Sequence, residues 1–244
     1  MRRHGHNSKP TCFSRVVPEI FLSTESSLAD SMSFWSGPLL VLWLYLPGYL
    51  ANTAAMLGGK WIPELFGVKS LPIDGGRILS DGYRILGDGK TWNGLCGAIV
   101  GGGLLCILTH FLSENTIVSD GIFLDPLIWS SSDNWFWIGG EWGAAFIVGA
   151  LLGLGCMIGD CTGSFVKRRM GKKREGDESS EAPLLDTLPF AICTFAIGLL
   201  LFPNILLGNP ALVKPMIGLL VLTPVIHRAT NVLGYKLGLK EVPY

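Results

Sequence analysis

Long apolar runs alternate with shorter polar ones along most of this 244-residue chain. Crossing a bilayer as a helix takes about 20 apolar residues, with a range near 17–25. Five segments reach or approach that length: Phe34–Leu57, Trp92–Leu112, Trp142–Ile158, Leu188–Leu207 and Leu212–Leu233. The first, third and fourth hold no charge, and the second is broken only by Asn93 and His110. The fifth is interrupted by Lys214, His227 and Arg228, whose places near its two ends suit side chains that reach back to the interface. The pattern predicts an all-α integral membrane protein of five transmembrane helices, forming one transmembrane domain over residues 32–244. Residues Met1–Ser31 are polar and patternless and lack the apolar core of a signal peptide. They are expected to be a disordered leader, with the working protein starting at or near Met32.

Composition agrees. Hydrophobic residues make up 49% and charged ones 16%, where soluble domains carry about 25% charged residues. The net charge is zero, which gives no bulk attraction to nucleic acid. The six cysteines form no Cys-x-x-Cys pair and read as small apolar residues. No residue pattern assigns an oligomeric state.

Lys and Arg set orientation. The loop Gly58–Thr91 carries five (Lys60, Lys69, Arg77, Arg84, Lys90) and the loop Gly159–Thr187 carries six, among them Lys167, Arg168 and Arg169. The loops Ser113–Glu141 and Gly208–Ala211 carry none. The two basic loops and the C-terminus are therefore expected in the cytoplasm, with the N-terminus outside. The loop Ser113–Glu141 holds Trp129, Trp135 and Trp137, and Trp favours headgroup depth, so it reads as an interfacial cover.

Two stretches carry candidate chemistry. The first is a heptad written twice and begun a third time, which spaces Asp74, Asp81 and Asp88 seven apart, each followed by Gly, with Arg77, Arg84 and Lys90 between them. Carboxylates hold hard cations such as Mg²⁺, and Arg and Lys grip phosphate oxygens. The stretch reads as a nucleotide-phosphate site in a polar cavity formed by the cytoplasmic loops beside the membrane, built of short helical turns separated by Asp-Gly caps. The bland alternative is a loop salted with Asp74/Arg77 and Asp81/Arg84 pairs of little worth.

The second begins as the third span ends. If that helix continues, Asp160, Ser164, Lys167 and Arg168 fall on one stripe. Arg169 reads better as part of a basic stop-transfer cluster. Asp160 is harder to dismiss, because an ionisable group at a span is costly. Asp186 stands at the same depth before the fourth span and suits either a metal or a helix N-cap. Asn52 is the strongly polar side chain of the first span, suited to a bond between helices or to a ligand headgroup.

These residues resemble a known family. Leu46-Pro-Gly-Tyr-Leu-Ala-Asn52, Pro72-Ile-Asp-Gly-Gly-Arg77, Asp81-Gly-Tyr-Arg84, Leu86-Gly-Asp-Gly-Lys-Thr-Trp-Asn-Gly94, Gly159 to Arg169 and Ala182-Pro-Leu-Leu-Asp186 are similar to stretches of the CDP-archaeol synthases, membrane cytidylyltransferases of archaeal ether-lipid synthesis. That family is related to the phosphatidate cytidylyltransferases. The resemblance implies five spans, CTP and an isoprenoid glycerol phosphate lipid as substrates, and Mg²⁺ as cofactor. It implies Asp160 and Asp186 as metal ligands, and Asp88, Lys90, Thr91, Lys167 and Arg168 as catalytic. It puts Asn52, Asp74, Arg77, Asp81, Arg84 and Ser164 around the nucleotide. The run Gly171–Glu181 is a departure, longer than the family pattern.

Two rival classes fit the residues less well. A CDP-alcohol phosphotransferase needs Asp-Gly-x-x-Ala-Arg, and Ala-Arg is absent after both repeats. A cation or solute transporter predicts charges deep in the spans, where three of the five have none.

Overall fold

The structure is a computed structural model, and it describes residues 36–114, 121–171 and 183–236. The leader, the run Gly171–Glu181 beyond its first residue and the chain end after Lys236 lie outside the described residues. The described part is helical: α1 (Ser36–Leu44), α2 (Leu46–Phe66), α3 (Trp92–Ser113), α4 (Gly140–Arg169), α5 (Pro183–Leu201) and α6 (Val213–Lys236). Four helical stretches among the described residues are long and apolar enough to cross a membrane alone, and α1 with α2, a pair bent by 50°, would make a fifth if it crosses as one broken span. The protein is thus a multi-pass membrane protein. The bend has a local cause. Tyr45 leaves helical geometry (φ −98, ψ 7) just before Pro47, which has no N–H to give the Trp43 carbonyl and crowds it.

Several boundaries differ from the hydropathy pattern, because helices end where the backbone is capped and not where polarity begins. The first span was expected to stop at Leu57, yet α2 runs to Phe66 and closes on Gly67 in the left-handed region (φ 63). The third was expected to stop at Ile158, but α4 continues to Arg169. At 30 residues it is about 45 Å long, well beyond a hydrocarbon core of about 30 Å, so its basic end projects. The fourth was expected to reach Leu207; α5 ends at Leu201, ahead of Pro203. Residues Leu206–Gly208 and Pro210–Leu212 form two 3₁₀ turns instead.

Small residues bring the helices together. A Cβ on Gly58 of α2 would stand 2.6 Å from Gly97 Cα of α3, and one on Gly97 would stand 2.8 Å from Gly58 Cα. Gly159 and Gly163 of α4 lie against the backbone carbonyls of Pro189 and Leu185 on α5. Such close approach gains dispersion contacts that lipid tails cannot supply. Gly97→Val therefore forces α2 and α3 apart. It is expected to cost about 1–3 kcal/mol, read as a lower Tm in detergent.

The end opposite the basic loops is closed by a cap. Trp43 Nε1 donates to the Leu124 carbonyl (2.8 Å), Trp135 Nε1 to that of Leu201 (3.0 Å) and Tyr45 Oη to that of Leu207 (2.7 Å). Phe136 and Phe202 are buried edge to face, and Trp135 stacks on Phe202. His110, which the sequence pattern left without a role, is fully buried on α3 and holds Asp125 of the cap at 2.9 Å. With one end sealed by aromatic packing, the polar chemistry gathers at the other.

Candidate active site

The loop between α2 and α3 is not helical. Its backbone pairs at Pro72 with Thr91 and at Ile78 with Arg84, as two isolated antiparallel bridges. The expected short helical turns are absent because the Asp-Gly dipeptides turn the chain the other way. Gly75 and Gly82 take φ of 57 and 81, and Gly87 takes φ of 95, values that L side chains adopt only with strain.

Asp74 is the hub of this loop, and its carboxylate is fully buried. Oδ2 accepts from the backbone N–H groups of Leu86 and Gly87 and from Arg84 Nε, at 3.0, 3.0 and 3.2 Å. Oδ1 accepts from Gly76 N–H (3.0 Å) and Arg84 Nη2 (2.7 Å). Burial alone would raise the Asp74 carboxyl. The Arg84 guanidinium and the N–H groups of Gly87, Leu86 and Gly76 outweigh it and hold the group well below the usual carboxylate range. Arg84 also reaches Asp88 at 2.9 Å. The i,i+3 pairing suggested by the heptad is therefore not the one formed: Asp74 pairs with Arg84 across the loop, and Asp81 pairs with Arg169 of α4.

That second pair docks the loop onto the projecting end of α4. Arg169 also donates to the carbonyls of Tyr83 (3.2 Å) and Arg84 (2.6 Å), and its guanidinium lies over the Phe165 ring at 5.3 Å. The Tyr83 N–H first, and Arg169 after it, keep the Asp81 carboxyl low against the effect of burial. Arg168 Nε reaches the Leu86 carbonyl at 3.5 Å. Arg169 is thus a structural clamp that the stop-transfer reading missed. The available signal was three cations at a helix end beside a loop rich in aspartate.

Docking the loop brings the two candidate stretches together. Lys90 Nζ contacts Asp160 Oδ2 at 2.5 Å, and Lys167 contacts Asp186 in the first turn of α5. These four side chains remain about one fifth exposed, at 21%, 17%, 19% and 20%. Both pairs sit where α4 and α5 pack through Gly159 and Gly163. Thr91 caps α3 by accepting from Gly94 N–H at 3.1 Å. Beside it Asn93 Nδ2 is a buried donor with no hydrogen-bond partner among the described residues.

The remaining candidates are spread out. Ser164 is buried on α4, Asp88 is exposed, and Arg77 is exposed beside a shallow cavity of about 370 Å³ lined also by Ile73, Asp74 and Leu86. Asn52 lies six residues into the membrane from Gly58, about 9 Å along α2, and takes no part in this network. Among the described residues no three His, Cys, Asp or Glu side chains gather at one point.

The family profile described as CDP-archaeol synthase, CarS-like, matches residues 36–244. The chain belongs to the CDP-archaeol synthase family. A CDP-archaeol synthase of Methanopyrus kandleri is 37% identical over 210 residues, covering 83% of this chain and 91% of that relative. One of Thermococcus gammatolerans is 34% identical over 218 residues, covering 88% and 99%. Among solved structures, an intramembrane enzyme for archaeal membrane lipids biosynthesis matches with a TM-score of 0.51 at 27% identity, over 78% of this chain and 92% of that one. Family membership spans all six helices and the docked loop.

Proposed function

We propose that this protein transfers CMP from CTP to the phosphate of 2,3-bis-O-(geranylgeranyl)glycerol 1-phosphate, giving unsaturated CDP-archaeol and pyrophosphate. Family membership supports this reading. The observation that carries it is the convergence of Lys90–Asp160 and Lys167–Asp186 at the basic membrane end, under a loop that Asp74 and Arg169 hold in place. The basic end would face the cytoplasm, where CTP is found, and the first helix would start outside.

A phosphate-monoester oxygen of the lipid attacks the α-phosphorus of CTP. The bond from that phosphorus to the bridging oxygen breaks, and pyrophosphate leaves with the electron pair. The attacking oxygen is already ionised at neutral pH, so the chain need supply no nucleophile or strong base. Its task is to hold two polyanions in line and offset their charge. Lys90, held at Asp160, and Lys167, two turns further along the same face of α4, are partly exposed and suit phosphate oxygens, as does Arg168. The docked loop would form the nucleotide's wall, with Asp74 and Arg84 shaping it from behind and Arg77 at its edge.

Asp160 and Asp186 fit a hard divalent cation such as Mg²⁺. Each is a carboxylate that already accepts a positive group, and each is reachable from solvent. Bound there, the ion would supply charge neutralisation to the phosphates. The test gives the protein in nanodiscs radiolabelled CTP with either the isoprenoid ether lipid phosphate or a diacyl phosphatidate, with and without Mg²⁺. A labelled CDP-lipid from the ether substrate, dependent on the cation, is expected. Label in neither lipid would reject the assignment, and label only in phosphatidate would move it to the ester-lipid relatives.

A further inference from the structure

The end of α2 is apolar where it should no longer need to be. Residues 60–71 read Lys-Trp-Ile-Pro-Glu-Leu-Phe-Gly-Val-Lys-Ser-Leu. Trp61, Leu65, Phe66, Val68 and Leu71 are all exposed, Leu65 and Phe66 to 76% and 73%. A water-facing loop rarely leaves five large apolar side chains uncovered in so short a stretch. Lys60 and Lys69 flank them, with Glu64 the sole acid between, and neither lysine forms an ion pair among the described residues.

Two contacts define the depth of this stretch. Gly58 packs on Gly97, five residues inside the start of α3, or about 7.5 Å. From Gly58 the helix runs eight residues further to Phe66, or about 12 Å. Its end therefore passes the head of α3 by only about 5 Å, which is headgroup depth and not bulk water. The chain then returns, and the Leu71 carbonyl accepts from Trp92 N–H at the head of α3 (3.0 Å). The stretch leaves and rejoins the bundle at one depth, where an amphipathic ring such as Trp61 is most stable.

We propose that residues 60–71 are an interfacial foot that docks on the anionic headgroups of the leaflet around the basic end. The occupant follows from continuity and charge. The segment grows out of a membrane-spanning helix at headgroup depth, and its cations complement a negative lipid surface. The foot closes one side of the loop that carries Lys90, so it sets that loop at the level where a lipid phosphate arrives. This rests on the membrane fold alone and not on the roles assigned to Asp160 and Asp186.

The full chain is reconstituted, one copy per nanodisc, in phosphatidylcholine alone or mixed with phosphatidylglycerol. Fluorescence quenching by lipids brominated at different depths is compared with that of Trp61→Phe to isolate Trp61. Hydrogen exchange then reads the amides of residues 67–71. Trp61 should be quenched most by the shallowest bromines, and amide protection should rise in the anionic discs. The double variant K60E/K69E should lower that protection at least about five-fold, the factor expected for even one cation at such a surface. An unquenched Trp61, protection indifferent to anionic lipid, or protection that needs two copies in a disc would each overturn the proposal, the last in favour of a second copy of this chain.

Discussion

Asp160→Asn and Asp186→Asn are each expected to lower CDP-lipid formation by about 10²–10³-fold, the loss seen when one preorganised charge-stabilising group is removed from an active site. Stability should hardly change. Each carboxylate keeps about one fifth of its surface in solvent and is paired with one lysine, and Asn still offers that lysine an oxygen to accept its hydrogen bond. Asn keeps the side chain's volume, so the packing of Gly159 and Gly163 on α5 is undisturbed. The contrast makes the prediction sharp. A structural pair would lose little activity, whereas a pair that holds charge against phosphates would lose activity at constant Tm. The measurement is initial rate against CTP and Mg²⁺ concentration in nanodiscs, with Tm from intrinsic fluorescence. Either variant within three-fold of the parent rate, with cation dependence unchanged, would reject the role for that residue.

Asp74→Asn is expected to open the loop between α2 and α3. Both carboxylate oxygens are used, Oδ1 by Gly76 and Arg84, Oδ2 by Leu86, Gly87 and Arg84. An amide offers one oxygen, and its NH₂ must then point at groups that are themselves donors. A buried N–H left without an acceptor costs about 1–3 kcal/mol, and Gly87 N–H is buried. Protection of the loop amides, corrected for intrinsic exchange, should fall by at least ten-fold, and activity should fall with it because Lys90 rides on this loop.

The same residue carries the pH dependence. A carboxyl held low in the folded state stabilises fully above its unfolded pKa of about 4 and loses that contribution as pH falls through the depressed folded value. Loop protection should therefore be flat from neutral pH to about 5 and drop in stronger acid. The drop should shrink in Asp74→Asn, leaving only the part carried by Asp81, which is also held low where the loop docks on α4. An equal acid response in parent and variant would place the titration elsewhere.

Much of this protein was legible from its residues. Apolar runs of about 17–25 residues separated by basic and non-basic loops point to membrane-spanning helices, because the backbone must satisfy its own hydrogen bonds in lipid. The Lys90-Thr91 and Asp160-to-Arg168 stretches stood out because charge at a membrane edge is expensive. Helix ends were less legible. Nothing in the polarity of Gly58 or Gly159 says that a helix continues through them, since that depends on the neighbouring helix each one touches. Asp81 and Arg169 could not be paired either, being far apart in sequence and joined only when the loop folds back on α4.

The sequence by itself determined the class of protein and the residue types of its charged end, since apolar length and charge placement are local properties of the chain. Tertiary structure alone decided what each charge does. The heptad that suggested three equivalent carboxylates became a buried hub at Asp74, a docking contact at Asp81 and an exposed partner of Arg84 at Asp88. Lys90 was delivered to Asp160 across 70 residues. The physical reason is that a carboxylate's role follows from its burial and its donors, and both are supplied by chain segments that meet only in the folded state.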